Sequence, residues 1–396
     1  MHNIIKIIIL IIYRLNWRVN QVKIAIDARG ANWYAGTGIG TYTQQVLKYI
    51  LKLDTENEYI LYWCGTNYKD MYLNPNITIS IASKKHHRFF EEYFIPENIK
   101  NKSIDIYHVP QNGIGLPHKK NCLYISTIHD LIPYIMPETV GRGYLKRFIA
   151  QMPEIIQNSD MIITVSEFSK KDIMRIFDVD EYRIKVTPLA ADSCFMPIDK
   201  NTAKEFIKNN YSIEYNYILY LGGFSPRKNV KSLIVAYSRI FKDIQRDIKL
   251  VILGPSKDDH SYLIELCTSL GIKDNVIFTG FVPYEHLPYF YNASTIFVYP
   301  SLYEGFGLPP LEAMSCKVPV ITSNISSIPE VTGDGAILIN PFDTEDLKCA
   351  IERLLENENL RYEIAQKGFL RSKEFSWIKT AKNTLNIYKE TYERFK

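Results

Sequence analysis

The fold and chemistry of this 396-residue chain are best indicated by one stretch, Pro300-Ser301-Leu302-Tyr303-Glu304-Gly305-Phe306-Gly307-Leu308-Pro309-Pro310-Leu311-Glu312-Ala313-Met314. The stretch follows an apolar run of strand length and leads into a helix predicted to start at Pro310. Gly305 and Gly307 permit a backbone path, or a close approach of a ligand, that side chains would block. Prolines suit the first turn of a helix, where a missing N–H costs little. The remaining free N–H groups and the helix dipole favour an anion in front of this helix.

Outward from this stretch, strand-length apolar runs alternate with helical patterns in two series. The predicted strands are 22–27, 59–63, 77–81, 104–109, 123–128, 161–165, 185–189, 217–221, 250–253, 276–279, 296–299 and 318–322. The predicted helices include 41–53, 143–158, 169–177, 230–242, 262–270, 287–293 and 344–356. Such alternation is typical of parallel sheets covered on both faces. We therefore predict an α/β protein with two doubly wound parallel-sheet domains and a ligand cleft between the carboxyl ends of their strands.

The predicted organisation has four parts. Residues 1–21 form an apolar extension, 22–195 the first doubly wound domain, 196–374 the second, and 375–396 a C-terminal helix. The apolar run at 4–12 is shorter than the ~20 residues that span a bilayer, and it lacks a signal-peptide cleavage site. It is interpreted either as a weak interfacial anchor or as a translated extension of little consequence.

Composition excludes several classes of protein. Hydrophobic residues make up 46% and charged residues 23%, as in ordinary globular proteins, and the formal net charge is only +4. Duplex-binding proteins concentrate more positive charge, so no nucleic-acid partner is predicted. The six cysteines form no Cys-x-x-Cys pair, which indicates reduced thiols of a cytoplasmic protein. The acidic segments at 178–180 and 258–260 are interpreted as polar loops, and no metal site is predicted.

Two carboxylates flank the glycine-containing loop. Glu304 precedes the predicted helix and Glu312 is expected in its first turn, so both can face one cleft. Carboxylates beside an anion site are useful when they accept hydrogen bonds from sugar hydroxyls attached to a phosphate. Taken singly, Glu312 is better explained as a complement to the helix N-terminus and Glu304 as a solvated loop residue, but the whole fifteen-residue stretch favours a ligand site.

The spacing of these glutamates, with seven residues between them, resembles the signature of the family-four retaining glycosyltransferases. Similar segments follow in the family's order from Val22 onward. They are Gly38-Ile39-Gly40-Thr41-Tyr42, Ile128-His129-Asp130-Leu131-Ile132-Pro133, Val165-Ser166-Glu167-Phe168-Ser169, Gly222-Gly223-Phe224-Ser225-Pro226-Arg227-Lys228-Asn229, Phe278-Thr279-Gly280-Phe281-Val282, Ile328-Pro329-Glu330-Val331 and Phe375-Ser376-Trp377. The resemblance implies the GT-B fold, in which two Rossmann-like domains face each other across a cleft. It makes 22–195 the acceptor-side domain and 196–374 the nucleotide-sugar-binding domain, with the helix at 375–396 packing back on the first domain.

The resemblance also implies roles for residues of the quoted stretch. Glu312 is expected to bind the ribose hydroxyls of a nucleotide-sugar, and Glu304 to contact the transferred sugar. The backbone of Phe306, Gly307 and Leu308 is expected around the sugar and the diphosphate. No cofactor is implied beyond the nucleotide-sugar donor, which is a substrate.

Positive charge for the departing diphosphate is expected from Arg227 and Lys228, in the loop after the strand at 217–221. A bare Arg-Lys pair is otherwise common as a solvated basic turn. Many relatives carry an arginine where this chain has Gly223, and Arg227 is expected to replace its charge.

Four further residues take roles from the resemblance. His129 is expected to face the donor sugar and to position it, or to stabilise positive charge through its ring or its carbonyl. Gly38 and Gly40 would let the first domain's backbone approach the phosphates when the cleft closes. Val282 lies in the segment expected near the nucleobase.

These expectations describe a retaining, metal-independent transferase that moves a sugar by front-face displacement. Its basic loop is similar to that of bacterial mannosyltransferases of surface polysaccharide synthesis, so the expected donor is GDP-mannose, with UDP-sugars left open. The expected acceptor is a glycan or a lipid-linked saccharide, which would bring a cytoplasmic enzyme to the inner face of the plasma membrane. The basic run at 84–88 is interpreted either as a contact with anionic lipid or as a solvated loop.

The sequence suggests three alternatives to a glycosyltransferase. A nucleotide-sugar epimerase or hydrolase of the same fold, and a non-catalytic nucleotide-sugar-binding protein, both stay open. A dinucleotide dehydrogenase is suggested by the glycines at 36, 38 and 40, but Thr41 stands where the third glycine of that motif belongs.

Overall fold

The computed structural model describes residues 21–70, 74–82, 86–243, 248–257 and 259–396. The apolar extension predicted at 1–21 lies outside the described residues except for Gln21. Lys84 and Lys85 of the basic run and Asp258 of the second acidic segment lie outside them as well.

The first sheet contains seven parallel strands. They are β1 (Lys23–Asp27), β2 (Glu58–Trp63), β3 (Ile77–Ile81), β4 (Ile106–Val109), β5 (Leu123–Ile128), β6 (Met161–Thr164) and β7 (Ile184–Val186). Their order is β3-β2-β1-β4-β5-β6-β7. The chain therefore winds from the centre to one edge and then to the other, which is the doubly wound arrangement.

The second sheet repeats this plan with six parallel strands. They are β8 (Asn216–Leu221), β9 (Ile248–Leu253), β10 (Val276–Gly280), β11 (Ile296–Tyr299), β12 (Val320–Ser323) and β13 (Ile337–Ile339). Their order is β10-β9-β8-β11-β12-β13. All twelve predicted strands are present, with ends shifted by up to three residues, and the prediction of two doubly wound domains is confirmed. The three-residue edge strand β13 was not predicted.

Helices cover both sheets. They are α1 (Gly30–Trp33), α2 (Gly38–Leu53), α3 (His87–Phe89), α4 (Ile95–Asn101), α5 (Ile132–Ile135), α6 (Arg142–Asn158), α7 (Glu167–Phe177), α8 (Lys200–Tyr211), α9 (Val230–Asp243), α10 (His260–Ser269), α11 (Leu287–Ala293), α12 (Leu308–Ser315), α13 (Ile328–Thr332), α14 (Thr344–Glu356), α15 (Glu358–Ser372) and α16 (Trp377–Phe395). Helix α15 was not predicted, because only four of its residues are buried and its sequence shows no apolar stripe.

Capping side chains fix the start of the helices that reach the site. The Thr37 hydroxyl accepts a hydrogen bond from Gly40 N in α2, and the Ser166 hydroxyl accepts one from Ser169 N in α7. Asp178 ends α7 in the left-handed conformation, with φ 51°, which agrees with the polar turn predicted there.

The last helix, α16, packs on the first domain. Thr380 Oγ1 donates to the Pro188 carbonyl at 2.6 Å, and the Tyr388 hydroxyl lies 2.6 Å from His108 Nδ1. His108 Nε2 in turn contacts Thr127 Oγ1 at 2.8 Å, so this helix is tied to the middle of the first sheet. The boundaries at 195 and 374 stay predictions. No helix in the described part of the chain combines the length and apolarity needed to cross a bilayer.

Candidate active site

The loop between β11 and α12 ends in a helix start with unpaired amides. Gly307 adopts φ 108°, a conformation that favours glycine, and it precedes the first helical residue, Leu308. Among the described residues, the amides of Phe306, Gly307 and Leu308 donate no hydrogen bond within the protein. Buried backbone donors require a partner, and a helix N-terminus favours an anion, so this end of α12 is suited to a phosphate.

The helix starts two residues earlier than predicted, which corrects the placement of Glu312. The first turn of α12 contains no acidic residue, so Glu312 lies in the second turn. The left-handed Gly307 sets this earlier start, and both prolines then occupy the first turn.

Glu304 is the centre of a buried cluster of donors. Its Oε1 accepts hydrogen bonds from Arg227 Nη1 at 2.9 Å and from Lys228 Nζ at 2.7 Å. The Tyr299 hydroxyl at 2.9 Å and the Ser301 hydroxyl at 2.5 Å complete the set. No described residue donates to Oε2, so that oxygen is available to a ligand.

The charges of this cluster reinforce one another. Burial alone would raise the pKa of Glu304, but the charges of Lys228 and Arg227 lower it well below its ordinary value. Burial lowers the pKa of Lys228 against the attraction of Glu304, to about 8, and the lysine stays mostly protonated at neutral pH. The two cations share the site with Glu304 and with Asp130, whose charge also acts on both of them.

The basic loop is fixed to the glutamate loop by further hydrogen bonds. Arg227 Nη1 also donates to the Tyr303 carbonyl at 2.5 Å, and Leu302 N donates to the Arg227 carbonyl at 2.8 Å. Asn229, at φ 55°, donates from Nδ2 to the Pro300 carbonyl at 3.1 Å. The two cations are therefore held in place before any ligand binds.

Glu312 is buried in a different environment. Its Oε2 accepts a hydrogen bond from the Tyr291 hydroxyl at 2.9 Å. Burial, with a smaller contribution from the charge of Asp192, raises the pKa of Glu312 to about 7. The side chain is therefore about half ionised at neutral pH, and donors from a ligand would complete its ionisation.

His129 is buried and neutral. Burial lowers its pKa to about 4, and Nε2 lies 2.9 Å from the Pro110 carbonyl, which can only accept. The proton therefore sits on Nε2. The edge of the ring packs against Tyr42 at 4.8 Å between centroids, and the His129 carbonyl lies against Gly305, where an added Cβ would be 2.3 Å away.

The three remaining predicted site residues, Gly38, Gly40 and Val282, lie in different surroundings. Gly38 faces the second domain, because a Cβ there would lie 3.7 Å from Leu308 Cδ1. Gly40 packs on the turn after α1, where a Cβ would lie 2.1 Å from the Tyr34 carbonyl, so its place is explained by packing within the first domain. Val282 is buried in the core of the second domain.

Sequence reasoning missed three residues of the site. Tyr299 and Ser301 contact Glu304 and stand next to it in sequence, so their proximity was a signal that could have been used. Tyr291 contacts Glu312 from α11, 21 residues away, and no local pattern predicts that contact. Within the described residues, no group of three or more histidine, cysteine, aspartate or glutamate side chains is arranged to hold a metal ion.

Comparison with known proteins establishes the family. Glycosyltransferase Family 4 matches residues 37–193, and Glycosyl transferases group 1 matches residues 201–371. The chain belongs to this family of glycosyltransferases. The predicted family and enzyme class are confirmed.

Named mannosyltransferases are similar to most of this chain. O-antigen chain mannosyltransferase B of Escherichia coli is 34% identical over 285 residues, which are 72% of this chain and 74% of that protein. The serotype-specific mannosyltransferase WbdA of Escherichia coli is 32% identical over 281 residues, or 70% of this chain. This chain spans only about a third of WbdA, because the match covers 34% of that protein.

Solved structures share the fold. Sucrose-phosphate synthase from Thermosynechococcus elongatus superposes with a TM-score of 0.75 at 20% identity, covering 94% of this chain and 100% of that one. HepE from Anabaena, in complex with UDP and glucose, has a TM-score of 0.72 at 15% identity, covering 94% and 100%. The expected GT-B fold is confirmed.

Proposed function

We propose that this glycosyltransferase moves mannose from GDP-mannose to a glycan or lipid-linked saccharide in the synthesis of a cell-surface polysaccharide. The observation that carries the proposal is the cluster of Glu304, Arg227 and Lys228 beside the unpaired amides of α12. Relatives named as O-antigen mannosyltransferases support mannose as the sugar.

Each part of the donor finds a complementary group in this proposal. The diphosphate binds the amides of Phe306, Gly307 and Leu308 and the cationic side chains of Arg227 and Lys228. Glu304 Oε2 accepts a hydrogen bond from a hydroxyl of the transferred sugar. Glu312 accepts hydrogen bonds from the ribose hydroxyls and becomes fully ionised as it does so.

The chemical step follows from where charge develops. As the bond between the sugar C1 and the phosphate oxygen breaks, Arg227 and Lys228 stabilise the negative charge on the departing diphosphate. They supply the positive charge that a divalent ion would otherwise supply, and we infer a metal-independent reaction.

Retention of configuration is inferred from the similarity of the glutamate loop to that of the family-four retaining glycosyltransferases. Four donors hold Glu304 Oε1, which makes this carboxylate a poor nucleophile for a double displacement. Retention without a protein nucleophile requires the acceptor hydroxyl to attack C1 on the face that the diphosphate leaves, and its proton passes to a phosphate oxygen. Neutral His129 positions the sugar beside that face.

We further propose that the enzyme is cytoplasmic and contacts the inner face of the plasma membrane. Phe89 and Tyr93 are 55% and 62% exposed, and their rings stack 6.1 Å apart next to Arg88, which is exposed and ion-paired with Glu92. Exposed aromatic rings suit a membrane interface, where a lipid-linked acceptor resides.

The test is a panel of GDP- and UDP-sugars incubated with the protein and a lipid-linked saccharide acceptor, with and without anionic vesicles. GDP-mannose should give mannosyl transfer, anionic vesicles should raise its rate, and Glu312→Ala should abolish most of it. Transfer from a UDP-sugar alone would contradict the donor assignment. Hydrolysis or epimerisation without transfer, or binding without turnover, would indicate the alternative activities and contradict the transferase proposal.

A further inference from the structure

The segment Val165-Ser166-Glu167-Phe168-Ser169 of the first domain contacts the glutamate loop of the second. Ser166 Oγ donates to the Gly305 carbonyl at 2.6 Å. Ser169 Oγ approaches the same carbonyl at 3.2 Å and the His129 carbonyl at 3.1 Å. Because both serines belong to the first domain and Gly305 to the second, the two contacts with the Gly305 carbonyl form only when the domains are docked.

The neighbouring carbonyls of the loop are held from the opposite side. Ser327, in the second domain, has its hydroxyl 2.9 Å from both the Glu304 carbonyl and the Phe306 carbonyl. Serine hydroxyls therefore hold three successive carbonyls. Ser327 of the second domain holds those of Glu304 and Phe306, and the first domain's serines hold that of Gly305.

The planarity of the peptide bond gives this contact a consequence for the donor site. In a trans peptide the N–H points away from the carbonyl of the same unit. With its carbonyl held by Ser166 and Ser169, the Gly305–Phe306 peptide directs the Phe306 N–H away from the first domain's serines. That N–H is one of the three unpaired amides at the start of α12.

We propose that Ser166 and Ser169 are positioning residues of the second domain's donor site: closure of the cleft brings their hydroxyls onto the Gly305 carbonyl and fixes the Phe306 N–H toward the diphosphate. This inference rests on the proposed function. It makes the donor site complete only when the first domain is docked, which links closure of the cleft to sugar transfer.

Two further contacts locate the meeting point of the domains at this peptide. A Cβ on Gly305 would lie 2.3 Å from the His129 carbonyl, so only glycine permits the approach without a shift. The Tyr303 hydroxyl donates to Asp172 Oδ2 of α7 at 2.5 Å. The first domain therefore bonds the loop on both sides of Glu304. Asp172 of α7 bonds Tyr303 on one side, and the two serines bond Gly305 on the other.

The experiment compares Ser169→Ala with Ser159→Ala. Ser169 is the better test than Ser166, because the Ser166 hydroxyl also caps α7 at 3.0 Å from Ser169 N. Ser159 is a matched control: it is a buried serine of the same domain whose hydroxyl contacts Ser126 Oγ at 2.8 Å and the Ile155 carbonyl at 2.7 Å. For each protein, kcat, the KM for the donor, the affinity for GDP and the melting temperature are measured.

Ser169→Ala should lower kcat about fivefold to tenfold, which corresponds to the loss of one hydrogen bond in the closed state. Its affinity for free GDP should stay within about twofold of the wild-type value, because GDP binds the second domain before closure. Ser159→Ala should lower the melting temperature about as much as Ser169→Ala does, but it should leave kcat unchanged.

A wild-type kcat in Ser169→Ala, an equal fall in Ser159→Ala, or a loss confined to GDP affinity would each overturn the inference. Wild-type protein that transfers no sugar would contradict the proposed function itself. Sugar transfer by the wild type beside an unimpaired Ser169→Ala would contradict the inference alone.

Discussion

Glu312 combines a buried position with a pKa of about 7, raised by burial. The groups proposed to bind Glu312 determine how nucleotide affinity depends on pH. Ribose hydroxyls donate hydrogen bonds, so they favour the ionised carboxylate and lower its pKa when nucleotide binds. Nucleotide binding should therefore release a proton below pH 7, and affinity should fall as the pH is lowered from 8 toward 5.

The measurement is calorimetry of GDP binding at pH 6 in two buffers of different ionisation enthalpy, for wild type and Glu312→Gln. The wild type should release close to one proton more than the variant, which has no carboxylate to titrate. Comparison of the two proteins cancels the titration of GDP itself. Equal proton release by both would show that Glu312 does not contact the nucleotide.

Single residues of the site were predictable where the signal was local. Glu304, Arg227 and Lys228 were predicted together, and the structure joins them through one carboxylate oxygen. The unequal pKa values of Glu304 and Glu312 were not predictable, because one glutamate meets two cations and the other meets only Tyr291 and the charge of Asp192.

At the scale of elements, the strand–loop–helix unit around α12 depends on its glycines for different reasons. Gly307 supplies a left-handed start for the helix, whereas Gly305 supplies room for the first domain's backbone. The sequence predicted the strand, the loop and the helix because their apolar and Gly/Pro patterns are local. It placed the helix start two residues late, because the conformation of Gly307 is not visible in a residue pattern.

Gly305→Ala tests the close approach at this loop. The added Cβ would meet the His129 carbonyl at 2.3 Å, so the domains must separate slightly and kcat/KM should fall at least about tenfold. The matched control is Gly143→Ala in α6, where an added Cβ meets nothing within 4 Å.

Steady-state kinetics and thermal melting distinguish the two variants. Gly143→Ala should keep wild-type kinetics and gain up to about 1 kcal/mol in stability, since alanine is the better helix former. Wild-type kinetics in Gly305→Ala would show that closure at this point does not matter for the reaction.

At the scale of the whole molecule, the two doubly wound sheets were predictable because strand-length apolar runs and amphipathic helices alternate along the chain. The packing of the last helix on the first domain was expected from the family resemblance alone, and the individual contacts between the domains were not predictable. Ser166 and Gly305 are 139 residues apart, and His108 and Tyr388 are 280 apart. Such pairs follow from how finished domains dock, which no local pattern encodes.

The account as a whole depends on a diphosphate bound by Arg227, Lys228 and the start of α12 on the second domain's side of the cleft. The most direct test is the affinity for GDP relative to GMP, measured by calorimetry for wild type, Lys228→Ala and the control Lys389→Ala, whose side chain is 75% exposed on the last helix. Wild type and Lys389→Ala should prefer GDP by the same factor, and Lys228→Ala should lose about tenfold or more of that preference, because a charge-assisted contact to the second phosphate is gone. An unchanged preference for GDP in Lys228→Ala would contradict the account.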